Sequence, residues 1–115
     1  MSDQTQEFEM ISVEKLGDVF VLKFRDEQIF DPEKIETLNS ELLTFQENQK
    51  VVISFEGVKF IASQVVAKLL VLIKQLKSNM KLCNMGEEVA NMFTLTNLDK
   101  VFQIFESLDQ AIDSY

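Results

Sequence analysis

The chain has 115 residues, the usual size of one compact domain, with 46% hydrophobic and 26% charged residues. Eleven Lys and Arg against nineteen Asp and Glu leave a formal charge of −8, which disfavours general binding to nucleic acid or to anionic membrane. With no His, one Cys and three Gly, the chain excludes His-based acid–base chemistry, intrachain disulfides, cysteine-cluster zinc sites and a Gly-rich phosphate cradle, and no cofactor or metal is expected.

Residues 1–8 are polar and are expected to fray ahead of a single domain over 9–115. No apolar run is long enough to span a bilayer and the start MSDQTQEFE is unlike a secretory signal, so a cytoplasmic location is expected. Met10–Leu16 and Val19–Phe24 read as two strands joined by a Gly17-Asp18 turn, a hairpin. Arg25–Phe30 reads as a loop carrying Asp26 and Glu27. Asp31-Pro32-Glu33 then starts a helix: Asp caps, Pro fits the first helical position, and Glu complements the positive end of the helix dipole. Ile35, Leu38, Leu42 and Phe45 recur at helical spacing up to about Asn48.

Val51–Phe55 is short, β-branched and apolar, the pattern of a central strand buried on both faces. Glu56–Ile61 connects it to a helix from about Gln64 to Ser78, with Val65, Leu69, Leu72, Ile73 and Leu76 on its inner stripe. Ser78-Asn79 ends that helix, and Met80–Met85 alternates as a strand in which Cys83 is a small core residue rather than a nucleophile. Gly86 opens a third helix with Glu87 and Glu88 in its first turn, and Asn97 suits the left-handed conformation at a helix end. Val101–Phe105 is a last strand, and Ser107 with Gln110 three residues on forms a capping box for a short final helix. The order β-β-α-β-α-β-α-β-α predicts an α/β fold: a mixed sheet, an initial hairpin followed by largely parallel strands, flanked by about four helices.

Three stretches, in this order and spacing, carry a family resemblance: VVISFEGVKFIAS (Val51–Ser63), MKLCNMGEEVANMF (Met80–Phe93) and LTNLDKVFQIF (Leu95–Phe105). From about Val13 to Ala111 the chain resembles the STAS family (sulfate transporter and anti-sigma factor antagonist domains), of the small stand-alone antagonist type. The resemblance implies a non-enzymatic regulatory module that binds an anti-sigma factor, often a serine kinase, and so controls a sigma factor. It leaves open a second role, as a scaffold or accessory subunit of a stress-signalling or lipid-transport complex. The family's switch is phosphorylation of a Ser in an Asp-Ser-Ser/Thr-Gly motif at the start of the helix after the third strand. Backbone N–H groups and the dipole accept a dianion there, while the added charge and bulk oppose docking.

In this chain the motif position reads Ala62-Ser63-Gln64-Val65. The Asp is gone, the first Ser is kept, the usual acceptor is Gln64, and the Gly is Val65, so the phosphorylation switch is expected to be lost or altered. Ser63 has two readings, a helix N-cap worth about 0.5–2 kcal/mol or a displaced phosphoacceptor, and the plain cap is preferred. Gln64 stands either for a permanently unphosphorylated, binding-competent state or for an exposed residue without a role.

The partner surface implied by the resemblance comprises Ala62, Ser63, Gln64 and Val65, with Asp26 and Asp31 from the neighbouring loop. Asp26, Glu27 and Asp31 read as a solvated loop and a helix cap rather than a cation site, since no metal-binding spacing is present. Ala67 and Val71, set among Lys68 and Lys74, form a small apolar patch with a positive rim that suits an acidic partner or a second copy of the chain, although scattered surface apolar residues are ordinary.

Overall fold

Gly17 takes φ +64, a left-handed backbone that lets a two-residue turn close the hairpin predicted around it. The computed structural model describes residues 5–77 and 79–115. In chain order the elements are β1 (Thr5–Glu7), β2 (Ile11–Leu16), β3 (Val19–Phe24), β4 (Gln28–Ile29), α1 (Pro32–Leu42), β5 (Lys50–Ser54), β6 (Phe60–Ile61), α2 (Ser63–Gln75), β7 (Met80–Cys83), α3 (Glu87–Leu95), a 3-10 turn (Leu98–Lys100), β8 (Gln103–Phe105) and α4 (Leu108–Asp113). The main sheet runs β1-β2-β3-β5-β7-β8, antiparallel through β3 and parallel from β3 onward, as the hairpin-then-alternation pattern predicts. β4 and β6 form a separate parallel pair.

Strand alternation divides the core between the two sheet faces. Leu22, Val51, Ile53, Met80 and Leu82 meet the apolar stripes of α1, α2 and α3 on one face. Val19, Val21, Val52 and Cys83 meet α4 on the other. β5 and β7 are buried on both faces, so their sequences read as nearly continuous apolar runs.

Four expectations are corrected. Residues 5–7 do not fray but pair with β2; residues 1–4 lie outside the described residues. What holds this edge is remote in sequence: the buried Glu41 carboxylate accepts the Glu9 N–H at 2.9 Å and the Met10 N–H at 3.0 Å, and Arg25 donates to the Phe8 carbonyl at 2.7 Å. α1 ends at Leu42 rather than near Asn48; Thr44 donates its hydroxyl to the Glu41 carbonyl as the chain turns away, yet Phe45 still reaches the core. The Arg25–Phe30 and Glu56–Ile61 connections hold β4 and β6, strands of two residues each and too short for periodicity to reveal. α2 ends at Gln75, followed by a left-handed Lys77; the helix end predicted at Ser78 falls outside the described residues.

The last residues carry more than their position suggests. Tyr115 donates its hydroxyl to the Val51 carbonyl at 2.6 Å and accepts the Val51 N–H at 3.2 Å, tying the end of α4 to β5. Buried Lys81 donates to the Ser114 carbonyl at 2.9 Å and hydroxyl at 2.6 Å, with its ammonium 4.3 Å from the Tyr115 ring centroid. Burial lowers the Lys81 pKa, since the charged form loses hydration. Burial also pushes the Tyr115 pKa up to about 12, against the opposing hydrogen bond to Val51. Because the folded pKa is raised, the stabilisation from Tyr115 is complete below pH 10.0 and is lost as the pH rises to about 12. In urea unfolding, wild type is therefore expected to exceed Tyr115→Phe by about 1 kcal/mol at neutral pH, and this gap narrows across that alkaline window. A gap that stays constant there contradicts the burial of the phenol.

Candidate functional site

The approach to α2 is fixed from both sides. Phe55 N–H donates to the Cys83 carbonyl at 2.9 Å, and Val58 N–H to the Phe55 carbonyl at 2.9 Å, closing a turn that Gly57 enters at φ +81. The Ser54 hydroxyl accepts from the Asn84 side chain at 3.0 Å and from the Glu56 N–H at 3.3 Å, which joins the carboxyl ends of β5 and β7. Beyond the turn, β6 pairs with β4, and the Ala62 N–H donates to the Ile29 carbonyl at 2.8 Å. Ile29 and Ile61 are fully buried and act as the anchor. The chain then enters α2 with no side chain capping it and no acidic residue in its first turn, whereas Asp31 caps α1 and Ser107 caps α4.

Ser63 is not the N-cap. Ala62, with extended backbone at φ −75 and ψ 156, occupies that position, so the helix begins one residue earlier than expected and Ser63 is its exposed first residue. Gln64 follows, also exposed. Val65 is fully buried on the stripe with Leu69 and Leu72, so its side chain is core and offers nothing to a partner. Ala67 and Val71 are exposed and, at three and seven residues from Gln64, continue its face of the helix.

α1 and α2 lie side by side with their starts at the same end. A cleft of about 240 Å3 opens between them, lined by Pro32, Ile35 and Glu36 from α1 and by Gln64, Ala67 and Lys68 from α2. Lys68 reaches across to Glu36 at 3.4 Å. The positive rim expected around Ala67 is thus partly neutralised, which weakens the electrostatic reason for an acidic partner.

Asp26 and Asp31 are not brought into that cleft. They border another, of about 440 Å3, with Glu9, Lys34 and Thr37. Asp31 accepts the Glu33 N–H at 3.0 Å as a cap, and Asp26 pairs with Lys34 at 3.2 Å. Among the described residues no three His, Cys, Asp or Glu side chains converge to hold a metal ion. Cys83 is fully buried, and burial raises its thiol pKa. Sequence reasoning missed the exposed pair Phe30 and Phe60, whose ring centroids lie 6.4 Å apart. The sequence carried no signal for it, since β4 and β6 are too short for a period and only their pairing turns the neighbours of Ile29 and Ile61 outward.

The profile of the STAS domain matches residues 10–111. The chain belongs to the STAS domain family. Among solved structures, an anti-sigma-factor antagonist (STAS) domain protein from Planctomyces limnophilus has a TM-score of 0.80 at 22% identity, covering 90% of this chain and 95% of that one. An anti-sigma factor antagonist from Mycobacterium paratuberculosis has a TM-score of 0.80 at 21% identity, covering 90% and 91%. The Bacillus cell fate determinant SpoIIAA in its phosphorylated form has a TM-score of 0.65 at 19% identity, covering 90% and 97%. A search of curated proteins returns no match. At these identities the structural likeness establishes the STAS fold, with a mostly parallel sheet of six strands and four helices among the described residues. No helix of this STAS domain, among the described residues, is long and apolar enough to cross a membrane.

Proposed function

We propose that this STAS domain is a cytoplasmic regulatory binding module that docks an anti-sigma factor or switch kinase through the start of α2. Its usual phosphorylation switch is lost or altered. The reading is carried by Gln64: it is the exposed second residue of α2, it borders the α1–α2 cleft, and it stands where the family motif has its acceptor hydroxyl. A carboxamide cannot receive a phosphoryl group, and it leaves this helix start uncharged.

Ser63 retains a hydroxyl without a capping bond, so the preferred structural role for it falls away. The acidic residue that precedes the acceptor in the family motif is nevertheless absent, replaced by Ala62. Ser63 is therefore expected to stay unmodified. Incubation with a cognate anti-sigma kinase and ATP should leave the intact mass unchanged. One stoichiometric phosphate mapped to Ser63 would falsify this part of the reading.

The missing acceptor also suits a fixed scaffold or accessory subunit of a stress-signalling or lipid-transport assembly. Affinity purification of the native complex separates the two: an anti-sigma factor supports the first reading, transporter or scaffold subunits the second.

A further inference from the structure

β4 and β6 anchor themselves by burying Ile29 and Ile61, and strand alternation sends the adjacent Phe30 and Phe60 outward. Phe30 is 58% exposed and Phe60 43%, although their rings already touch edge to face. Two neighbouring aromatic rings left this open form an apolar surface that none of the described residues covers. Beside Phe60 lies a cleft of about 380 Å3 that also takes in Gln28, Val58, Lys59, Glu87 and Glu88.

The cleft beside Phe60 holds one lysine, Lys59, and two glutamates, Glu87 and Glu88. Lys59 is matched to Glu27 at 3.7 Å, and on the neighbouring helices Lys34 is matched to Asp26 at 3.2 Å and Lys68 to Glu36 at 3.4 Å. Glu33, Glu87 and Glu88 join none of the ion pairs among the described residues. With Lys59 paired, Glu87 and Glu88 leave the cleft beside Phe60 with a surplus of negative charge.

We propose that Phe30 and Phe60, with Glu87 and Glu88, form a docking site for a basic segment of a partner protein, an arginine set beside an apolar side chain. The apolar side chain covers the exposed rings. The guanidinium lies on the face of Phe60 and donates to the carboxylates at the start of α3. A second copy of this chain is a poor occupant, because it presents the same negative patch to the one it meets and carries the same charge of −8. The inference rests on the docking reading of the α2 start, which Phe60 precedes by three residues, and extends it by naming the chemistry of the partner.

The probe is a short soluble peptide with arginines flanking a leucine, compared with its glutamate-for-arginine counterpart. The full chain is titrated with each while backbone amide shifts are recorded. The arginine peptide is expected to shift residues around Phe30, Phe60 and Glu87 most and the glutamate peptide to shift none. Phe30→Ser with Phe60→Ser should weaken the arginine peptide about tenfold or more, and the exposed positions keep the variant folded. Glu87→Gln with Glu88→Gln should weaken it without altering the rings, and Asp109→Asn on α4 should leave it unchanged. Shifts spread over the whole acidic surface, or affinity unmoved by the aromatic pair, overturn the inference. Sedimentation showing a dimer that dissociates in the aromatic variant also overturns it, in favour of a second copy. If the peptide site holds while substitution of Ala67 leaves the native partner bound, the α2 reading fails and the aromatic site stands.

Discussion

Replacing Phe55 with Ala is expected to lower the unfolding free energy by about 3–5 kcal/mol. For a domain of this size, with a total of roughly 5–15 kcal/mol, that approaches unfolding. Phe55 is fully buried, with its ring centroid 5.2 Å from that of Phe24 and 6.2 Å from that of Phe93; Phe93 in turn lies 5.5 Å from Phe102. It is the second link in a chain of four rings that joins β3, the end of β5, α3 and the approach to β8. Each remaining ring is held by its own element, so the space left by Phe55 does not close by local repacking. The effect should also reach the site, because the buried ring anchors the backbone whose carbonyl closes the turn that leads through β6 into α2. Denaturant unfolding measures the loss, and hydrogen exchange should show faster opening at Ile61–Ala67. A loss below about 1 kcal/mol would mean that the rings repack and that Phe55 is not a support of the α2 start.

The elements legible in the sequence were those whose periodicity is strong. The hairpin, the Asp31-Pro32 helix start, the doubly buried β5, the inner stripe of α2, the left-handed Asn97 at φ 59 and the Ser107 cap all stand in the structure where local chemistry puts them. What escaped was non-local. β1 folds back on β2 through a turn whose Glu9 and Met10 N–H groups are held by Glu41, more than thirty residues away in the chain. β4 and β6 exist because each gives the other a partner, and two residues carry no period of their own. Tyr115 is legible as a strut only once Val51 is seen beside it.

The exposure of the start of α2 was legible in the sequence, whereas the residues that share a cleft with it were not. Gln64 and Ala67 sit exposed beside one cleft, as the placement of the motif on a helix start implies. Ser63 reads as a cap in the sequence because cap assignment turns on one residue, and the extended backbone of Ala62 places the cap there instead. Val65 was placed on the partner surface because it belongs to the motif, yet its helical phase points it into the core. Asp26 and Asp31 lie on the α1 side of the loop and border a separate cleft. The aromatic pair was hidden because Phe reads as core by composition, and only the pairing of β4 with β6 turns these two outward.

Ala67 gives the other large effect and the sharpest test of the account, whose central claim is that partners dock on the cleft between the starts of α1 and α2. Ala67 is exposed on the wall of that cleft, so Ala67→Trp adds bulk where the free chain has room and should change stability by less than about 0.5 kcal/mol. A partner seated in the cleft meets the indole instead of an opening, and its affinity should fall about 10- to 100-fold, or roughly 1.4–2.8 kcal/mol. The substitution adds no charge, so the result does not depend on the sign of the partner's surface. Asp109→Trp on α4, on the opposite face of the sheet, is the control. The deciding measurement is calorimetric titration of the native partner, recovered by affinity purification, into wild type and both variants. Docking on the cleft requires weakened binding to Ala67→Trp and unchanged binding to Asp109→Trp; full affinity for Ala67→Trp, or loss confined to Asp109→Trp, would rule it out.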